Sequence, residues 1–322
     1  MADTTLTDKV RAFLASAGWD AAAEPLAGDA SRRKYFRLRE NQQSAVLMNA
    51  SRALETVAPF VRIDEHLLRL GFSAPAILVR DEAKGLLLLE DFGDATFASL
   101  LEAGTEPERL FTLATDVLIA LHKHPQAVPK NLRVYHPEKM LEDIELFLDW
   151  RTPGISDTGK VEFRKVWREV LPVAHQAPAS LLLRDYHVAN LMSLPGRAGI
   201  RQVGLLDFQD AYQGPVTYDL VSLLEDARHD VPEDLQKKMI ERYLAQFPAL
   251  DRNAFETSMS ILAALRHTRV LAIFERLSRH EGKHDYQRLY SPHVERSLQK
   301  ALAHPVLADV KSWFDEYVTG QK

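Results

Sequence analysis

Apolar residues recur along this chain with two different periods, and the change from one to the other divides it. Leu6, Val10, Phe13 and Leu14 mark a helix over 5–17 that stops before Gly18. Two strand-like runs follow, at 34–39 and 44–49. A helix over about 54–70 ends at Gly71, with Pro75 just beyond it as a second stop signal. Two further strands are predicted at 76–79 and 85–89. The run Leu86-Leu87-Leu88-Leu89 is long enough for a buried strand and too short for a helix. It ends abruptly in Glu90-Asp91-Phe92-Gly93-Asp94.

From Thr96 onward helical spacing prevails. Helices are predicted over 96–102, 107–123, 137–150, 158–175, 216–228, 233–246, 252–279, 286–303 and 306–318. One β-like island interrupts them at 181–208, with strands at 181–183, 190–194 and 202–206. No internal repeat, low-complexity tract or Gly/Ser linker is present. The pattern predicts an α+β protein in two parts: a small β-rich N-terminal lobe over 1–92 and a larger, mostly helical C-terminal lobe over 93–322.

Composition narrows the function classes. Hydrophobic residues make up 46% and charged residues 26%, the balance of an ordinary soluble globular protein. The net charge of −5 gives no reason to expect a nucleic-acid partner, so an anionic ligand would need a local site. No apolar run approaches the ~20 residues that span a bilayer, so no membrane association is expected. Met1-Ala2-Asp3-Thr4-Thr5 does not read as a secretory leader, and a cytoplasmic location is the expectation. The absence of cysteine excludes disulfides, thiolate nucleophiles and Cys-ligated metals.

The β-island holds the candidate chemistry. It reads Leu183-Arg184-Asp185-Tyr186-His187-Val188-Ala189-Asn190-Leu191, then Gly204-Leu205-Leu206-Asp207-Phe208-Gln209-Asp210. Asp and Asn are common turn residues, and two polar turns capping strands would account for them singly. Together, two acids and an amide set against apolar strand residues suit phosphoryl transfer. One carboxylate, Asp185, can orient an attacking hydroxyl and accept its proton. Oxygen ligands from Asn190 and Asp207 can hold Mg²⁺ against nucleotide phosphates. The three are expected to converge on one cleft.

This segment resembles the H-x-D-x-H-x-x-N catalytic loop, and the Asp that follows it, of aminoglycoside and choline kinase-like phosphotransferases. Protein kinases share the D-x4-N spacing. They usually carry Lys two residues after the Asp, where this chain has His187, and Gly where it has Gln209. A wider resemblance extends over about 25–310. Gly28-Asp29-Ala30-Ser31-Arg32-Arg33-Lys34-Tyr35-Phe36-Arg37 is similar to the opening of bacterial cell-wall-recycling kinases that phosphorylate the anomeric hydroxyl of N-acetylmuramate and N-acetylglucosamine. Val46-Leu47-Met48-Asn49-Ala50, Leu87-Leu88-Leu89-Glu90-Asp91-Phe92-Gly93 and Tyr218-Asp219-Leu220 are similar to further segments of that family.

The resemblance implies a two-lobed, protein-kinase-like fold, ATP and Mg²⁺ as cofactors, and a small sugar as acceptor. Aminoglycosides or another hydroxyl compound would be acceptors in the same fold, and a nucleotide-binding pseudokinase is the non-catalytic alternative. Ser31, Arg32, Lys34 and Glu90 fall on segments expected to meet the nucleotide. Arg184, His187, Asp210 and Asp219 are expected to touch substrate or brace the catalytic loop. Two departures stand out. Met48 occupies the strand-three position where kinase-like folds carry a phosphate-gripping Lys, leaving Arg32, Arg33, Lys34 and Arg37 as the nearby cations. Leu183 stands where related loops have His. The run Arg266, His267, Arg269, Arg276, Arg279 and His280 could face an anionic sugar acid, but reads first as a solvated helix face.

Overall fold

A computed structural model describes residues 6–26 and 32–319, so the turn Gly28-Asp29-Ala30-Ser31, with Ser31, lies outside the described residues. In chain order the elements are α1 (Asp8–Ser16), β1 (Ala23–Pro25), β2 (Lys34–Glu40), β3 (Gln43–Asn49), α2 (Val57–Arg69), β4 (Ile77–Asp81), β5 (Leu86–Glu90) and α3 (Phe97–Glu102). They continue with α4 (Pro107–Lys123), α5 (Pro137–Trp150), α6 (Asp157–Val170), β6 (Ala179–Leu182), β7 (Leu191–Ser193), β8 (Val203–Leu205) and β9 (Tyr212–Pro215). The chain closes with α7 (Thr217–Leu224), α8 (Glu233–Ala245), α9 (Arg252–Glu281), α10 (Ser291–Leu302) and α11 (Ala308–Phe314).

The chain forms two compact units, Met1–Gly104 with Ala189–Asp210, and Thr105–Val188 with Ala211–Lys322. Sequence periodicity had grouped the whole β-island with the helices; its second half packs with the first unit instead.

That first unit is built on a sheet in the order β1-β2-β3-β5-β4, its neighbours antiparallel. Asn41 and Gln42, at φ of 48° and 67°, join β2 to β3 in a two-residue turn whose twist matches that of the strands. Alternation then sorts the side chains by face. Phe36, Leu38, Ala45, Leu47, Leu86 and Leu88 point to one side and close over Val10, Phe13 and Leu14 of α1. Tyr35 lies opposite Met48, and Met48 opposite Leu87, on the other side. The β7–β8 hairpin is seated on this unit by backbone bonds. The Leu205 amide donates to the Ser73 carbonyl at 2.8 Å, and the Ser193 amide to the Ala95 carbonyl at 2.8 Å. Gly204 is required there, because a Cβ would sit 2.7 Å from the Phe92 ring.

The second unit is organised around α9, thirty residues long, which packs against α5, α7 and α10. Asp251 caps its start by accepting from the Ala254 amide, and Gly282 ends it at φ 69°. The charge run on this helix is not the solvated face expected from the sequence: Arg266 and His267 are buried, as is Glu275 beside the run, Arg269 and Arg276 are half-buried, and of the run only Arg279 and His280 are exposed. Two of these buried groups are paired with distant residues. His267 Nε2 lies 2.7 Å from Glu225, and Glu275 accepts from Arg151 at 3.1 Å. β6 pairs with β9.

Differences from the predicted elements have local causes. The helix expected to reach 175 gives way at Leu171 to a tighter turn containing Pro172, and the one expected to reach 228 stops at Leu224. The strands β1 and β9, three and four residues long, were not predicted. No described helix is long and apolar enough to cross a membrane.

One carboxyl in the first unit is out of place. Asp64 lies on the buried face of α2 with Phe60, Ile63 and Leu67. Both its oxygens are shielded from water and have no hydrogen-bond partner. Burial, reinforced by the charges of Glu65 and Glu90, pushes its pKa up to about 8. The side chain is therefore protonated at neutral pH. Since the unfolded carboxyl titrates near ~4, folding takes up a proton between that value and 8, and this group's contribution to stability is lost as pH rises through the interval. Asp64→Asn is expected to match wild type in thermal midpoint at pH 5 and exceed it at pH 8.5. Parallel midpoint-versus-pH curves for the two proteins would show that Asp64 is not the group responsible.

Candidate active site

Asp185 is presented by the stretch that follows β6. From Leu181 to Val188 every side chain except that of Asp185 is buried; Asp185 alone is half exposed. The backbone reaches this arrangement through Arg184 at φ 71°, a left-handed conformation that a non-glycine residue adopts only when its surroundings enforce it. Several enforcing contacts come from the second unit itself. Near the start of α7, Asp219 accepts hydrogen bonds from the Leu183 amide at 2.6 Å and the Arg184 amide at 2.8 Å. Burial raises the Asp219 carboxyl to about 7 against the pull of these two amides. Asp226 accepts from the Val188 amide at 3.3 Å. The Tyr186 hydroxyl donates to the Ala114 carbonyl at 2.8 Å.

Arg184 itself turns inward. Its buried guanidinium pairs with Asp143 and lies 5.0 Å from the Tyr135 ring centre and 5.2 Å from that of Tyr212. Tyr135 also donates to Asp143 at 2.8 Å. Asp143, whose carboxyl burial alone would raise, is held below its ordinary range by Arg184 and Arg269. His187 is buried, and burial lowers its pKa against the nearby Asp226 carboxylate, so the ring is neutral at pH 7. Arg184 and His187 are thus both buried within this loop's surroundings.

Asn190 and Asp207 belong to the first unit and flank the β7–β8 hairpin. The pairing continues one step past the strands, because the Leu206 amide donates to the Asn190 carbonyl at 3.0 Å. Asp207, at φ 57°, follows this step. Phe208 stacks on Phe60 of α2 with ring centres 5.1 Å apart, which fixes the turn after Asp207. The Gln209 side-chain amide donates to Asp207 at 3.1 Å and to Asp210 at 3.3 Å. A carboxylate and an amide oxygen are the hard donors that suit Mg²⁺. No group of three or more His, Cys, Asp or Glu able to hold a metal exists among the described residues.

The candidate nucleotide residues separate. Arg32 is exposed and pairs with Glu55. Lys34 is exposed at the start of β2. Arg37 is buried and committed: it reaches Asp91 at 2.8 Å, Asp94 at 2.6 Å and the Gly93 carbonyl at 2.9 Å. Burial tends to raise the Asp91 carboxyl, but Arg37 and the Gly93 amide outweigh it and hold it below its ordinary range. Glu90 pairs with Arg197, which spans the Phe92 ring at 5.1 Å. Arg33, which the sequence offered only as one of four cations, is buried with its guanidinium 2.6 Å from Asp207. The carboxylates Asp143 and Asp226 had no sequence signal, since their roles arise from contacts across 41 and 38 residues.

Comparison with known proteins places this geometry. Residues 22–256 match the phosphotransferase enzyme family. The chain is 35% identical to the N-acetylmuramate/N-acetylglucosamine kinase of Caulobacter vibrioides, over 95% of each chain. It is 33% identical to the enzyme of that name from Pseudomonas aeruginosa, over 89% of this chain and 86% of that one. Among solved structures, a choline/ethanolamine kinase family protein from Mesorhizobium loti superposes with a TM-score of 0.65 at 16% identity, covering 96% of this chain and 99% of that chain. The gentamicin complex of the aminoglycoside phosphotransferase APH(2'')-IIa gives 0.60 at 15% identity, covering 94% and 98%. These likenesses establish the kinase-like α+β fold, and the sequence match settles the membership: the chain belongs to the phosphotransferase enzyme family.

Proposed function

We propose that this protein is an ATP- and Mg²⁺-dependent kinase that phosphorylates the anomeric hydroxyl of N-acetylmuramate or N-acetylglucosamine. The observation that carries the catalytic reading is the presentation of Asp185, a half-exposed carboxylate on a loop whose other side chains are buried and whose amides are tied to Asp219 and Asp226. Such pinning suits a group that must meet a hydroxyl in one orientation. The acceptor class is supported by the curated relatives, which are 32–35% identical over most of this chain and act, by name, on these two amino sugars.

In this reading Asp185 accepts the proton of the attacking hydroxyl. An anomeric hydroxyl is more acidic than an ordinary alcohol and needs only modest assistance. Asn190 and Asp207 would hold Mg²⁺, which supplies charge neutralisation at the transferring phosphoryl group when bound. Gln209 keeps the Asp207 carboxylate oriented, and Asp219 keeps Asp185 in position through the amides of the two preceding residues. A nucleotide-binding protein without turnover would also suit the loss of a lysine at Met48, so turnover itself is the first measurement.

Purified protein with Mg²⁺ and ATP is expected to phosphorylate N-acetylmuramate or N-acetylglucosamine in a coupled ADP-release assay. Transfer to an aminoglycoside or choline but to neither sugar would overturn the acceptor and leave the residue roles standing. Asp185→Asn is expected to cut turnover by ~10²–10⁴ with ATP affinity retained, whereas Asp207→Ala weakens Mg²⁺-dependent ATP binding as well. Wild-type turnover in Asp185→Asn refutes the base assignment.

Asp219→Ala strips two buried amides of their acceptor, at a cost of about 1–3 kcal/mol each. It is expected to lower the unfolding midpoint in denaturant and reduce kcat more than it changes ATP affinity. A kcat equal to that of wild type would show that the loop holds Asp185 without it.

A further inference from the structure

We infer that Arg33 supplies the phosphate-directed positive charge that β3 lacks, so that the cation of this nucleotide site has moved from the third strand to the residue before the second. The inference rests on the kinase reading above and concerns which side chain of this chain answers the nucleotide.

Three observations carry it. First, the centre of β3 cannot serve. Met48 is fully buried between Tyr35 and Leu87, and β3, Gln43–Asn49, contains no basic residue. Asp64, on the buried face of α2, has no hydrogen-bond partner at either oxygen and no cationic partner among the described residues. Second, the other nearby cations are otherwise engaged or face away. Arg37 is locked to Asp91, Asp94 and the Gly93 carbonyl. Arg32 is exposed and paired with Glu55. Lys34 is exposed and, by alternation along β2, falls on the opposite side from Tyr35 and Met48.

Third, Arg33 lies where the charge is needed. It precedes Tyr35 by two residues, on the side of the sheet that carries Met48, and the Tyr35 hydroxyl senses both Arg33 and Asp207. Its Nη2 is 2.6 Å from Asp207 Oδ1, the oxygen that Gln209 also engages. The Arg33 side chain is 7% exposed while that of Asp207 is 40% exposed, so a cation anchored in the interior presents its charge at the open edge of an acidic group.

The chemistry of the guanidinium fits the exchange. Lysine offers one compact ammonium; arginine offers five N–H donors in a planar fork that can engage two anions at once. Arg33 can therefore compensate Asp207 when no nucleotide is bound and turn part of its fork toward a phosphate when one is. Because the pair brings together a cation and the proposed metal ligand, nucleotide and Mg²⁺ binding are coupled through this one contact.

The test is a ladder of ligands read by isothermal titration calorimetry with adenosine, AMP, ADP and ATP, each with and without Mg²⁺. Arg33→Gln keeps a donor for Asp207 and removes the charge. It is expected to bind adenosine as wild type does and to bind ADP and ATP about ten- to a hundredfold more weakly, with Arg33→Lys recovering part of the loss. Arg39→Ala and Arg80→Ala, at exposed arginines of the same unit paired with Glu24 and Glu65, are expected to leave the ladder unchanged. If Arg33→Gln weakens adenosine and ATP equally, Arg33 only maintains the fold and the inference fails. If its ADP and ATP affinities equal those of wild type, it fails outright. Wild-type protein that binds none of the four ligands refutes the kinase reading itself, which the ladder thereby distinguishes from a failure at Arg33.

Discussion

A carboxylate removed from water demands N–H donors, and Asp219 takes two of them from the backbone that carries Asp185. Much else in the second unit follows from this contact. The amides of Leu183 and Arg184 can both point at Asp219 only if the chain turns sharply, and Arg184 adopts a left-handed φ of 71° to do so. That turn directs the Arg184 side chain inward, where a buried guanidinium requires a counter-charge; Asp143 provides it, with Tyr135 and Tyr212 as flanking rings. Tyr186 and His187 are buried beyond it, and Asp185 is the side chain left toward solvent. The half-exposure of one acid is thus the residue of a set of satisfied buried groups.

The first unit solves a different problem, the distribution of a few charges in a small sheet. Two arginines, one just before β2 and one within it, each face acids: Arg33 meets Asp207, and Arg37 meets Asp91 and Asp94. The second cluster braces the segment leaving β5. Asp64, with no cation acting on it, remains neutral. Charge in this unit is placed by pairing, and where pairing is missing the proton stays on.

Much of this was legible in the sequence, and the illegible part has physical reasons. Leu86–Glu90 and Lys34–Glu40 were found because runs of buried or alternating side chains have a period. Ala23–Pro25 and Tyr212–Pro215 were not, because three or four residues hold less than two repeats of any period. The charges of α9 were misjudged because composition reports polarity while burial depends on partners such as Glu225 and Arg151, distant in sequence. At the site, the spacing of Asp185, Asn190 and Asp207 was visible as a motif. The supports at Asp143 and Asp226 were not, since a hydrogen bond across some forty residues leaves no local trace. Arg33 and Arg37 have the same type and the same strand parity; only three-dimensional pairing tells them apart.

The alternation along β2 constrains more than charge. Phe36 and Leu38 close the core over α1, while Tyr35 and Arg37 occupy the reverse side, and a two-residue turn at Asn41 and Gln42 fixes the pairing with β3. A strand committed on both sides has no spare register: sliding by one residue would drive Arg37 into the α1 core and expel Phe36 and Leu38 from it. Deletion or insertion of a single residue between Lys34 and Glu40 is therefore far more damaging than substitution at any one of those positions.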